Sequence, residues 1–167
     1  ALGVFLYGWN KIPPRAHWIS GLVVGISGVL SGIFVVAANA WMNSPAGFDY
    51  VNGEYLNIDP VAAMFNEAWF TQALHMTFAA FASTGFAVAG VHAFMLLRGH
   101  KLRFHQEALK IALIFGAVAA IAMPLTGDLA AKDVAKRQPA KLAAMEAQYH
   151  TEERASLIIG GIPNDET

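Results

Sequence analysis

"WISGLVVGISGVLSGIFVVAANAWM", residues 18–42, contains no charged side chain. A helix needs roughly 20 consecutive apolar residues to cross the hydrocarbon core of a bilayer, and this run exceeds that. Residues 68–97 are likewise free of charge, and a shorter apolar run extends from about Leu109 to Thr126. The opening "ALGVFLYGW" reads as the last turns of a fourth helix. The whole chain of 167 residues is 56% hydrophobic and 14% charged, with a mean hydropathy of +0.43. That is too apolar and too poor in charge for an ordinary soluble domain. The fold class expected is therefore all-α: an integral membrane helix bundle made of the end of one span, three transmembrane helices and part of an external loop.

The spans fall at about 1–9, 18–42, 68–97 and 109–126. Pro13 and Pro14 stop the first, "NSPAGF" the second and "MPLTGD" the last, because proline lacks an amide proton and clashes with the preceding turn. Residues 61–68, "VAAMFNEA", either begin the third span or lie at the interface. The loop 10–17 carries Lys11 and Arg15, and the loop 98–110 carries Arg98, Lys101, Arg103 and Lys110. The loop 43–60 has Asp49, Glu54 and Asp59 with no basic residue. The positive-inside rule then makes the first two loops cytoplasmic and the third external, with 127–167 external as well. Without a basic leader, a chain that opens inside a helix reads as a stretch of a longer polypeptide. The absence of cysteine excludes disulfides and thiolate ligands, so a metal would be held by His, Met or carboxylate.

In the second span, Ser20, Ser27, Ser31 and Asn39 fall within an arc from about −80° to +40° of His17 at 100° per residue. Gly21, Gly25, Gly28 and Gly32 lie beside them, while Leu22, Ile26, Leu30 and Phe34 occupy the opposite side. The small face is expected to pack on protein, in the manner of small-xxx-small interfaces. A sharper reading makes it a hydrogen-bonding track for protons from His17 through Ser31 toward Asn39.

The third span holds His75 and His92, about 25 Å apart along the axis, too far to share one metal. His92 lies near the basic loop, where an imidazole reaches water or headgroups. His75 sits inside "WFTQALHMTFAAF", residues 69–81. An ionisable group at such a depth is a functional hypothesis by default. Two readings stand open: an axial haem ligand, or a packing histidine with a hydrogen-bond partner on a neighbouring helix. Residues 138–150, "QPAKLAAMEAQYH", read as a short amphipathic helix after a proline start. Leu142, Met145 and Tyr149 form its apolar stripe, flanked by Lys141 and Glu146. A flat apolar ring bearing polar oxygens fits along it; so does a plain surface helix.

"FLYGWNKIPPRAHW", "VVAANAWMNSPAGF", "HAFMLLRG" and above all "RQPAKLAAMEAQYHTEE" followed by "GIPNDE" together resemble subunit I of the cytochrome bd quinol oxidases. The resemblance covers essentially all 167 residues and corresponds to the middle portion of that subunit, with 127–167 the start of its external quinol-binding loop. It implies that His75 is the axial ligand of a low-spin haem b. It implies that Lys141 and Glu146 bind and oxidise quinol, Glu146 accepting a proton. His17, Ser31 and Asn39 resemble members of the family's proton path. Further haems b and d, where oxygen becomes water, would be held by residues outside this stretch, as would the methionine opposite His75. Met42 is not promoted to that role. Protons released outside and consumed from inside would charge the membrane without a pump.

The same resemblance implies a prokaryotic cytoplasmic (inner) membrane, multi-pass, with subunit II and small accessory subunits as partners and no nucleic acid. The stretch alone would bind haem poorly and catalyse nothing. The runner-up is a non-catalytic haem-b membrane anchor of a dehydrogenase. Such anchors usually use two histidines across helices, and only His75 lies clearly inside a span. A third reading is a haem-free packing protein.

Overall fold

A computed structural model describes residues 1–100, 102–148 and 151 of the chain. Its elements in order are α1 (Leu2–Tyr7), α2 (Pro14–Asn43), β1 (Asp49–Val51), β2 (Glu54–Leu56), α3 (Pro60–Met64), α4 (Trp69–Leu97), α5 (Arg103–Arg137) and α6 (Pro139–Met145). Three of them, α2, α4 and α5, are long and apolar enough to cross a membrane. The chain is an all-α membrane helix bundle, because a backbone in hydrocarbon must satisfy its hydrogen bonds within the segment.

Helices α4 and α5 form an antiparallel pair, with α2 laid against α4. The buried core is built of small residues: Ala37 and Ala40 on α2, Ala73 and Ala89 on α4, Ala112 and Ala119 on α5. Leu22, Ile26, Phe34, Phe86, Ile114 and Ile121 are exposed. This inversion of a soluble core suits a bilayer. Lipid is as apolar as leucine, so helices associate by close backbone approach rather than by hiding large side chains.

Two boundaries differ from the sequence reading, and one that it left open is decided. First, α1 closes at Tyr7, before the prolines, and Pro14 instead opens α2 at its first turn, where the missing amide costs nothing. Second, "VAAMFNEA" is not the start of α4. Asp59 caps the separate helix α3, its Oδ1 accepting from the amides of Val61 and Ala62. The buried Asn66 then joins it to α4, donating to the Ala63 carbonyl and accepting from the Ala68 amide. Third, α5 runs through Pro124 to Arg137. Proline at that position leaves the Ala120 carbonyl without its usual partner, yet packing against α4 and an apolar surround keep the helix intact.

The Ser/Gly side of α2 is only partly covered. Among the described residues, Phe5 lies against Gly21 and Met76 against Gly32, whereas Gly25, Ser27, Gly28 and Ser31 are exposed. Periodicity marks a face as small but does not name the helix that meets it. In the 43–60 loop the sequence reading missed a hairpin, β1–β2, with Tyr50 opposite Tyr55. Its signal was legible: Asn52–Gly53 take φ of 52° and 88°, the primed turn that Asn-Gly favours.

Candidate functional site

His75 sits within the second turn of α4, half-buried against α5. Its Nδ1 lies 3.1 Å from Thr126 Oγ1. Thr126 is itself buried, and its hydroxyl contacts the carbonyls of Ala122 at 3.1 Å and Met123 at 3.2 Å, one turn back on its own helix. Those carbonyls can only accept, so the hydroxyl gives its single proton to them. With its proton so placed it accepts from His75, the arrangement in which Nδ1 is the protonated nitrogen and Nε2 keeps a free lone pair. Nε2 has no hydrogen-bond partner among the described residues. Beside this contact, a Cβ added at Gly127 would stand 3.4 Å from His75 Cε1 and 3.7 Å from Nδ1, so the ring rests on bare backbone.

Among the described residues there is no cluster of three or more His, Cys, Asp or Glu fit to hold a bare metal ion. Haem does not need one, because the macrocycle supplies four nitrogens and the protein only the axial ligands. A neutral imidazole with Nδ1–H engaged and Nε2 free is the donor that haem iron takes. The residues present fit such a group.

The second candidate set, Lys141 and Glu146, lies at the same end of the bundle. Pro139 starts α6, and the helix closes at Met145 with Glu146 as its C-cap. The Ala147 amide then bonds the Ala144 carbonyl, and the Gln148 amide bonds Ala143, with Ala147 at φ 55°. This is a Schellman closure made by alanine rather than glycine. The expected helix over 138–150 is thus shorter, and Glu146 stands at its end rather than on its flank. Tyr149, the third member of the expected stripe, lies outside the described residues, as does "GIPNDE". Lys141 turns toward α2, its Nζ donating to Asn43 Oδ1 at 3.3 Å. It forms no ion pair with Glu146.

The polar ends of α2, α4, α5 and α6 are drawn together by further bonds. Asn39 Nδ2 donates to Gln72 Oε1 at 3.2 Å. Gln138 Nε2 approaches Ser44 Oγ at 3.5 Å. Arg137 pairs with Asp133 through Nε at 2.7 Å and with Glu67 through a second nitrogen. The sequence reading found none of these partners, nor Thr126. Trp69 Nε1, six positions before His75, is buried with no acceptor among the described residues.

His17, Ser31 and Asn39 are not brought together. His17 Nε2 donates to the Phe5 carbonyl at 2.9 Å, and its ring lies between Phe5 and Trp9. It holds α1 against α2. Ser31 stands about 21 Å further along the helix and Asn39 about 12 Å beyond that; both are exposed. At the opposite end of α4, His92 Nδ1 lies 2.9 Å from His105 Nδ1, a pairing of two imidazoles across the α4–α5 turn. Reading each helix separately could not reveal it.

Comparison with known proteins identifies the family. The family model described as cytochrome bd terminal oxidase subunit I matches residues 1–167. A Bacillus subtilis (strain 168) protein provisionally named cytochrome bd menaquinol oxidase subunit I is 32% identical over 99% of this chain and 39% of its own length. A second from the same organism, a cytochrome bd ubiquinol oxidase subunit 1, is 31% identical over 89% of this chain and 32% of its own. The solved structure of the bd oxidase from Geobacillus thermodenitrificans superposes with a TM-score of 0.83 at 35% identity, covering 99% of this chain and 38% of that one. The chain therefore spans about two fifths or less of the length of these relatives.

Proposed function

Because this chain belongs to the cytochrome bd terminal oxidase subunit I family, we propose that it forms part of the haem-bearing subunit of a respiratory quinol:oxygen oxidoreductase. The observation that carries the reading is His75, with Nδ1–H engaged by Thr126 and Nε2 free. His75 would hold a low-spin haem b through Nε2, and that group supplies one-electron redox chemistry when bound.

Quinol binds at α6, at the external face of the membrane. Its oxidation yields the quinone, two protons and two electrons. Glu146 takes a proton from a quinol hydroxyl, as a positioned general base. Lys141, steadied by Asn43, donates a hydrogen bond to a quinol oxygen. The apolar side chains Leu142 and Met145 lie on the same short helix and seat the ring. The shared end of the bundle supports this division of labour, since His75 on α4 and the α6 pair are linked through α5, about 18 Å apart along its axis. His75 would hold the haem that accepts the electrons, and further haems b and d held elsewhere in the subunit would supply the oxygen-reducing chemistry. Subunit II and the bilayer complete the assembly in the cytoplasmic membrane. His17, Ser31 and Asn39 line a route by which protons reach the oxygen side.

The test is a reduced-minus-oxidised visible spectrum of the complete oxidase, wild type beside His75→Ala. Loss of the low-spin b band with high-spin features retained is expected. Identical spectra would make His75 a packing histidine and overturn the reading.

A further inference from the structure

We infer that Thr126 is a positioning residue for the low-spin haem: its hydroxyl fixes the tautomer and ring plane of His75 and strengthens the imidazole as an electron donor. The inference rests on the proposed role of His75 as axial ligand. Four observations carry it. The hydroxyl oxygen is 3.1 Å from Nδ1, it lies within hydrogen-bond distance of the Ala122 and Met123 carbonyls, Thr126 is 6% exposed, and Gly127 leaves bare backbone against the ring.

The geometry imposes a sequence of constraints. A threonine hydroxyl carries one proton and two lone pairs. With the proton committed to the helix carbonyls, only a lone pair can face His75. The imidazole is thereby held as the Nδ1–H tautomer. Nε2 is directed away from α5's hydroxyl and remains unprotonated. In the other tautomer the ring presents N–H at Nε2 and cannot ligate through that nitrogen, so holding the Nδ1–H form removes a competing state. Donation from Nδ1–H also places partial negative charge on the ring, which raises its basicity as a ligand. A more basic ligand favours ferric over ferrous iron and lowers the midpoint potential of the haem. Because α5 continues as a helix through Pro124, Thr126 reaches the height of His75 on a helix rather than in a loop.

The experiment is a redox titration of the low-spin haem in the complete oxidase, followed optically, for wild type, Thr126→Val, Thr126→Ala and Thr126→Ser, with His75→Ala alongside. Thr126→Val and Thr126→Ala are expected to shift the midpoint potential to more positive values, with Thr126→Ser close to wild type. If both hydroxyl-free variants lose the low-spin band and the serine variant keeps it, the hydroxyl is needed to hold the ligating tautomer, and the inference also stands. If the hydroxyl-free variants keep the wild-type potential while His75→Ala abolishes the band, Thr126 merely packs; the inference fails and the ligand assignment survives. The inference also fails if Thr126→Ser departs from wild type as far as Thr126→Val does. A band that persists in His75→Ala removes the ligand assignment and the inference with it.

Discussion

Gly85 on α4 and Gly116 on α5 face one another so closely that a Cβ added to Gly85 would lie 2.7 Å from the Gly116 Cα and 3.0 Å from the Ala112 carbonyl oxygen. Both obstacles are backbone, so neither can swing aside. The contact sets the separation and register of the two helices that carry His75 and Thr126. Gly85→Ala should force them apart, at a cost on the order of 1–3 kcal/mol. Gly116→Ala should cost less, since its added Cβ would sit 3.4 Å from the nearest atom. Retention of the low-spin band during heating of the complete oxidase measures both, and equal losses would contradict the geometry.

At the α6 end the two candidate quinol residues should separate chemistry from electron acceptance. Glu146→Gln removes the base and should lower quinol-dependent oxygen consumption by about 10²-fold or more. Lys141→Met should act mainly on the apparent KM for quinol. In neither variant should the low-spin spectrum, read after chemical reduction, change. A normal turnover in Glu146→Gln would remove this residue from the proton step.

Arg137 joins two carboxylates of unequal exposure: the side chain of Glu67 is 78% exposed and that of Asp133 only 13%. Glu67→Gln should cost less than about 1 kcal/mol, as exposed pairs do. Arg137→Met leaves Asp133 largely buried without its cation and should cost more than Glu67→Gln. Thermal inactivation midpoints of the two variants would show the order, and a larger effect from Glu67→Gln would refute it.

For the imidazole pair at the other end, one ring must donate and the other accept. A double-mutant cycle with His92→Phe and His105→Phe should give a coupling of about 0.5–1.5 kcal/mol. Strictly additive losses would mean that the two rings stabilise the α4–α5 turn independently.

Much was legible before any tertiary structure. Charge-free runs in α2, α4 and α5 announce spanning helices because hydrocarbon leaves the backbone no other way to satisfy its hydrogen bonds. His75 stood out as the polar exception in such a run, whereas Lys141 and Glu146, flanking an apolar stripe, entered as quinol residues only through the family resemblance. Asn52–Gly53 was legible as a turn and was overlooked. The partners of those residues were not legible. Thr126 is 51 positions from His75, Glu67 is 70 from Arg137 and Asn43 is 98 from Lys141. Hydropathy along a helix records the medium around it, whereas a hydrogen bond between helices depends on which faces meet and at what height. That height follows from the contact of Gly85 with Gly116 and from the persistence of α5 through Pro124. The sequence alone determined that the chain crosses a membrane as helices and carries an imidazole inside it. Only the packing of α4 on α5 decided which nitrogen of that imidazole is held and which is left free, because a tautomer is chosen by the neighbour and not by the residue itself.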